Sequence, residues 1–365
     1  MIKKINKDNW KGIKFRKFPE YNYSAVWNNL STIRFDLGEV KELPPEYSEF
    51  YDVSLGNKCI SSTIKRFVTT DKDKYDTFVS KIDSEKIIYS GVDENNNLFV
   101  EYLGNCGCPF CYVSANPNGK YYEDICETWK KWMNMYEDKY DKNGKCLTNK
   151  CLQIAIGSEG EPCEVPMLCD FLKTVYETNV VPNYTTNGVI LASWNKPESK
   201  WYKKANNILA STKLYVGGVA VSYGNKALRK YADDAIEGLL EKGDCHVMIH
   251  HIISDMNSVD EFVEAWKRYG DKIRNHVLLP LMPSGRSKKG IDDGVFEYLE
   301  QVIEDNNIKN VAFGAHFIKY LEKTDKIKTW LYPAESYSKN VLLTKDKVQI
   351  TPSSFNLTPI KIINL

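Results

Sequence analysis

The chain has 365 residues, 42% of them hydrophobic, which is room for one large domain of barrel size or two ordinary ones around a buried core. Its 49 basic and 48 acidic side chains nearly cancel, to a formal charge of +1, without a basic stripe or a like-charged tail, which argues against a nucleic-acid partner. The opening "MIKKINKDNWKGIKFRKF" has no apolar run of signal-peptide or membrane-span length, so the expected setting is a reducing cytoplasm with no membrane contact.

Residues 1–95 are rich in Tyr, Asn and Lys and read as an N-terminal extension carrying the strand-like fragments "STIRFDLG" and "EFYDVSLGN". From residue 97 the texture changes. Short β-rich runs follow one another: "NLFVEYLG" (97–104), "CLQIAIG" (151–157), "NVVPNYTTNG" (179–188), "YVGGVAVSYG" (215–224), "HVMIHHIIS" (246–254), "HVLLPLMP" (276–283) and "NVAFGAHF" (310–317). They are almost continuously apolar, the pattern of strands covered on both faces. Helical stretches separate them. "VPMLCDFLKTVYETN" places Met167, Leu168, Phe171, Leu172 and Val175 on one face, and "NKALRKYADDAIEGLLEKG" does the same with Leu228, Tyr231, Ile236, Leu239 and Leu240 before Gly243, a predicted C-cap. "SVDEFVEAWKRYG" opens on Ser258 with Glu261 three residues on, a capping-box pattern, and "GVFEYLEQVIEDNN" is a further amphipathic helix. Trp129, Trp132 and Met133 share helical spacing and read as core. The segment "VLLTKDKVQITPSSF" (341–355) predicts a hairpin around "TKDK".

Strand and helix in alternation argue for an α/β fold with a parallel sheet: a partial (β/α)6 TIM-like barrel first, an open doubly wound sheet second. The expected division is an N-terminal extension over 1–95, a core over 96–290 and a C-terminal α/β tail over 291–365 that completes or covers the barrel. Ligands of such folds sit at the C-terminal ends of the strands. The chemically distinctive residues fall at those ends: three thiols after "NLFVEYLG", then "SEGEP" (158–162), "TTNG" (185–188), Ser222 and "SGR" (284–286). Each alone is an ordinary turn or cap; their common position points to a site.

Ten cysteines in a reducing compartment read as metal ligands, reactive groups or small buried residues, and most of the scattered ones as the last. Cys106, Cys108 and Cys111 stand within six residues, in "NCGCPFCYVSANPNGK". Thiolates are soft ligands for zinc, copper(I) or iron–sulfur clusters. A structural zinc site wants a second ligand pair, and Cys146 and Cys151 are too widely spaced to supply one, so a cubane cluster held through three irons and open at the fourth suits the loop better. Of the histidines, His250 and His251 are adjacent on one strand, so one faces inward and one outward, and a core histidine is the expectation.

"CPFCY" (108–112), "GEP" (160–162), "TTNG" (185–188), "VAVS" (219–222) and "LLPLMPSGR" (278–286) together resemble the radical S-adenosylmethionine (SAM) enzymes, over roughly residues 97–290. The resemblance implies a partial (β/α)6 barrel, one [4Fe–4S] cluster and SAM as cofactors, and an external one-electron donor of flavodoxin or ferredoxin type. SAM would be cleaved to a 5′-deoxyadenosyl radical that abstracts hydrogen from an unidentified small-molecule, nucleotide or peptide substrate. It implies cluster ligation by Cys108 and Cys111, packing of Phe110 and Tyr112 around the cluster and adenine, and contact of Glu159, Gly160 and Glu161 with the amino end of SAM. Ser222 would meet the SAM carboxylate or ribose, and Thr186 and Asn187 would line the cavity. No cysteine follows Cys245, so no auxiliary cluster is expected. The chain departs from the family in one place. The usual spacing is C-x3-C-x2-C, and the position four before Cys108 is Gly104. Either Cys106 is the third ligand in a shortened loop, the favoured reading because it needs no long-range closure, or Cys59 is, with "EFYDVSLGNKC" read as a first barrel strand that ends in the first ligand and residues 60–105 inserted after it. The alternative function is a non-catalytic thiolate metal protein, holding zinc or a degenerate cluster and acting as a binding module.

Overall fold

The computed structural model describes residues 14–27, 32–36, 38–39, 41, 43–59, 64–82, 84–104, 108, 110–115, 117–143, 146–224, 228–321, 330–331, 338–353 and 356–365. Its centre is an eleven-stranded sheet. In chain order its strands are β1 (Phe50–Ser54), β2 (Gln153–Ile156), β3 (Val181–Thr186), β4 (Gly218–Ser222), β5 (His246–Ile253), β6 (Asn275–Pro280), β7 (Val311–Phe313), β8 (Trp330–Leu331), β9 (Ser338–Thr344), β10 (Lys347–Thr351) and β11 (Lys361–Asn364). From β1 to β8 every neighbour pairs in parallel, in chain order. On the other side of β1, β9 adds in parallel, and β10 and β11 follow antiparallel. The expected hairpin is therefore β9–β10, turning at Asp346 with φ 55°, and it extends the sheet next to its first strand. The sheet order is linear, from β8 at one edge to β11 at the other, and no pairing among the described residues closes it into a full barrel.

Helices fill the crossovers: Leu168–Glu177, Tyr202–Tyr215, Arg229–Gly238, Met256–Tyr269 and Val295–Asp305. They cover one face of the sheet only. Ile154 and Ile156 on β2, Tyr184 on β3, Val219 and Val221 on β4 and Ile249 on β5 are buried in one cluster with Phe171, Leu172, Ile208 and Ile236 of the helices. Of the residues of the opposite parity, Asp52, Ala155, Asn183, Thr185, Ser222 and His250 are half-buried, while Ser54, Ala220, Val277 and Ala312 are buried. The reading of strands covered on both faces therefore holds in part, since the second face is buried at some positions and half-buried at others. The second face carries small and polar side chains, and runs such as "VVPNYTT" conceal the alternation because Thr and Ala count as neutral in a hydropathy scan.

Two helix ends also differ from expectation. The capping box of Met256–Tyr269 is built by Asp255 with Ser258, not Ser258 with Glu261; the Asp255 carboxylate accepts from the Ser258 amide at 2.8 Å. The helix ending at Gly238 continues as a π-turn over Leu239–Gly243, and the left-handed residue that stops it is Asp244, φ 42°, rather than Gly243.

The main correction concerns the first strand. "NLFVEYLG" does not enter the parallel sheet. Leu98–Leu103 is the central strand of a separate three-stranded antiparallel sheet, between Ile64–Thr69 and Ile87–Val92. The strand beside β2 is β1, from the segment read as N-terminal extension. The rest of that segment and residues 138–148 form a five-stranded sheet of their own: Thr32–Asp36, Tyr23–Trp27, Lys14–Phe18, Cys146–Thr148 and Asp138–Tyr140. The helix Ile125–Met133 buries Trp129, Trp132 and Met133 as expected.

Candidate functional site

Among the described residues, Cys108 and Cys111 stand in no helix or strand, so the carbonyls there need donors from elsewhere. The Cys111 amide donates to the Cys108 carbonyl at 3.2 Å and the Ser114 amide to Cys111 at 3.3 Å, two successive turns that leave both cysteines half-buried. The loop after β6 clamps these turns. The Arg286 amide donates to the Cys111 carbonyl at 3.0 Å, and its guanidinium donates to Cys108 at 3.1 Å and to the Ala115 carbonyl. Ser284 Oγ donates to the Tyr112 carbonyl at 3.3 Å. Gly285, φ 61°, lies so close to the Cys111 and Tyr112 carbonyls that a Cβ would overlap them. The sequence placed "SGR" on the rim without a role; a clamp between residues so far apart in the chain leaves no local signal.

The exit of β1 meets the same rim. Gly56 bridges to Tyr121, the Tyr122 amide donates to the Leu55 carbonyl at 2.9 Å, and the Glu161 amide donates to the Lys58 carbonyl at 3.0 Å. Gly160, φ 68°, presses on this turn: a Cβ there would stand 2.6 Å from the Lys58 carbonyl oxygen and 2.7 Å from that of Gly56. Cys59 is half-buried, with Asn187 Nδ2 3.9 Å from its sulfur. Tyr112 Oη donates to the Ser158 carbonyl at 2.7 Å, which joins the thiol loop to the loop after β2.

The two carboxylates of "SEGEP" differ in use. Glu161 is buried and accepts from Thr186 Oγ1 at 2.6 Å, the Asn187 amide at 2.7 Å and the Cys163 amide at 3.0 Å. Burial pushes its pKa up and these hydrogen bonds oppose that. It is the pin between the loops after β2 and β3, and Thr186 is occupied with it. Asn187 is half-buried and its Oδ1 accepts from the Val189 amide at 3.0 Å. Glu159 is also buried, but its partners are the hydroxyls of Tyr122, at 3.1 Å, and Ser54, and burial raises its pKa. Neither hydroxyl carries a positive charge, so among the described residues this carboxylate is held by neutral groups. Ser222 is half-buried at the end of β4, opposite His250 in the register of β5, where burial lowers the imidazole to about 4.

The structure therefore brings Cys59, Cys108, Cys111, Tyr112, Glu159, Gly160, Glu161, Thr186 and Asn187 to one rim, with Ser222 on the half-buried face of the sheet. Cys106 lies outside the described residues. Among the described residues, no group of three His, Cys, Asp or Glu side chains is set for a single metal ion. The thiolates of a cubane bind different irons and so stand farther apart than the ligands of one ion. The donor set, the half-buried soft thiols of Cys59, Cys108 and Cys111, fits a cluster chemically. Two clefts, of about 810 Å³ beside Asp244–Val247 and about 670 Å³ beside Glu46–Tyr47, lie at the opposite end of the sheet. No helix among the described residues is long and apolar enough to cross a membrane.

No family model matches the chain, and no curated protein matches it. Among solved structures it is similar to Streptococcus suis SuiB bound to the precursor peptide SuiA, at 16% identity and a TM-score of 0.48, covering 85% of this chain and 60% of that one. It is similar also to SuiB bound to S-adenosylmethionine, at 14% identity and a TM-score of 0.47, covering 84% and 60%. The chain spans about 60% of the SuiB chains it matches, and likeness at this level fixes neither its chemistry nor its substrate.

Proposed function

We propose that the chain is a radical SAM enzyme with the core of a partial (β/α)6 barrel, acting on a small-molecule, nucleotide or peptide substrate with an external one-electron donor. The observation that carries the reading is the 2.7 Å hydrogen bond from Tyr112 to the Ser158 carbonyl, with the Arg286 clamp behind it, which puts the thiol loop beside "SEGEP" although dozens of residues part them. A [4Fe–4S] cluster with an open iron supplies, when bound, the electron that cleaves SAM to methionine and a hydrogen-abstracting 5′-deoxyadenosyl radical.

The protein's own part is to bind and orient. Cys108 and Cys111 supply two thiolates, and Arg286 fixes the backbone from which they project. Glu159 receives the cationic amino end of SAM; its hydroxyl partners leave the charge unbalanced, and a cation completes the pair at a buried site. Gly160 brings the backbone close enough for its carbonyl to join. Glu161 acts through Thr186 and Asn187, as a positioning residue between two loops. Ser222 lies within the half-buried face as a hydroxyl for the carboxylate or ribose.

The test is anaerobic reconstitution with ferrous iron and sulfide. The expected result is about four irons and sulfides per chain, a reduced-state EPR signal that changes when SAM is added, and 5′-deoxyadenosine after reduction. One zinc per chain with no EPR response would replace this reading by the thiolate binding module.

A further inference from the structure

We infer that the cluster ligands are Cys59, Cys108 and Cys111, a triad split by an inserted domain, and that Cys106 is not one of them. The inference rests on the radical SAM reading and identifies which residues of this chain serve it. The first observation is topological. β1 is the strand that starts the parallel run β1 to β8, and Cys59 stands in the loop that leaves it, five residues past Ser54. Leu98–Leu103, which precedes Cys106, is not part of that sheet.

The second observation is the neck of the insertion. Ile64 pairs with Leu103 in antiparallel register, so the first and last strands of the small sheet begin and end side by side, about 5 Å apart between Cα atoms. A folded unit that leaves and returns at one point can be carried by a loop without displacing what flanks it. Cys59 lies five residues before Ile64 and Cys108 five after Leu103, one on each side of the neck. The loop-closure objection to Cys59 therefore falls: the small sheet, not chain entropy, brings the two ends together.

The third observation is placement. Lys58 accepts the Glu161 amide, Asn187 lies against the Cys59 sulfur, and Tyr112 hydrogen-bonds Ser158. The Cys59 half thus contacts the loops after β2 and β3, and the Cys108–Cys111 half meets it at the loop after β2.

The test compares wild type, Cys59→Ala, Cys59→Ser and Cys106→Ala after anaerobic reconstitution, by iron and sulfide content and by EPR of the reduced protein, with circular dichroism as the control for folding. Wild type and Cys106→Ala should each hold about four irons with the same signal, and the Cys59 variants should lose at least three quarters of the iron. Iodoacetamide alkylation of the loaded wild-type protein, read by mass spectrometry, gives an answer that needs no variant: Cys59, Cys108 and Cys111 protected, Cys106 modified. Loss of iron in Cys106→Ala, retention in the Cys59 variants, or protection of Cys106 with modification of Cys59 overturns the assignment. Wild-type protein that takes up no iron sinks the radical SAM reading instead, so the two failures are distinguishable.

Discussion

Gly285 sits at φ 61° against the carbonyls of Cys111 and Tyr112. Alanine there adds about 1–2 kcal/mol of left-handed strain and a Cβ that has to push the thiol loop outward. Gly285→Ala should leave circular dichroism unchanged while lowering iron retained on reconstitution by at least half. Full iron content would show that the clamp is not needed. Glu161 makes a contrasting case. Glu161→Ala removes the acceptor for one hydroxyl and two amides in a buried place, so about 2–4 kcal/mol should be lost in urea denaturation. Glu161→Gln keeps one acceptor oxygen and should recover part of that. Equal stability of all three proteins would mean the pin is decorative. The chemistry of the rim was legible because cysteines, "GEP" and "TTNG" are short local signals at strand ends. The partners were not. Arg286 holds Cys108, and Tyr122 meets Glu159, across separations that only the folded sheet defines.

At the level of elements, β2 to β7 were legible because each is a short apolar run bounded by turn residues, and β2, β4, β5 and β6 are followed by an amphipathic helix; the helix Tyr202–Tyr215 after β3 was not legible, its apolar positions being diluted by Lys, Asn, Ser and Thr. β1 was not separable from Leu98–Leu103: "FYDVSLGN" and "FVEYLGN" have nearly the same pattern, and sequence cannot say which of two such strands finds β2. The adjacent histidines of β5 show a further limit. Alternation indicated that one faces the helices. Only the structure reveals its neighbour, with His251 Nε2 3.0 Å from His276 Nδ1 and Phe262 against both rings. Burial lowers His246, His250 and His276 to about 4 and His251 well below its ordinary value. Arg229 adds to the effect at His251. Neutral in the native state and protonated in the unfolded one, these groups leave stability intact above pH 6.5. As pH falls from there towards 4 the unfolded chain binds the extra protons, and each histidine removes up to about 1.4 kcal/mol per pH unit. The urea midpoint should therefore drop steeply between pH 6.5 and 4.5. His276→Phe, which takes one of these groups out of the balance, should flatten the slope by roughly a quarter. A midpoint independent of pH would mean that the rings are already charged in the fold.

For the whole molecule the question is whether the insertion is a passenger. Its neck at Ile64 and Leu103 is one strand pair wide, so the main sheet does not depend on it for connection. It does lean on the rest: Ile88 is buried in the main core, and Tyr231 on the helix after β4 donates to Glu101. Removing residues 60–104 would empty the place of Ile88, at a cost of about 2–4 kcal/mol, comparable to other large core deletions. That is survivable for a sheet of this size. Excision also leaves "CNCGCPFC", in which Cys59 stands four residues before Cys108, the spacing of the resembled family. The excised protein should unfold cooperatively at a lower urea midpoint and still take up about four irons on anaerobic reconstitution. Its remaining Cys59→Ala iron content should fall as in the full chain. If the excised chain fails to fold, the small sheet is part of the main sheet's stability; if it folds and binds no iron, the loop carrying Cys59 needs the insertion to hold its shape.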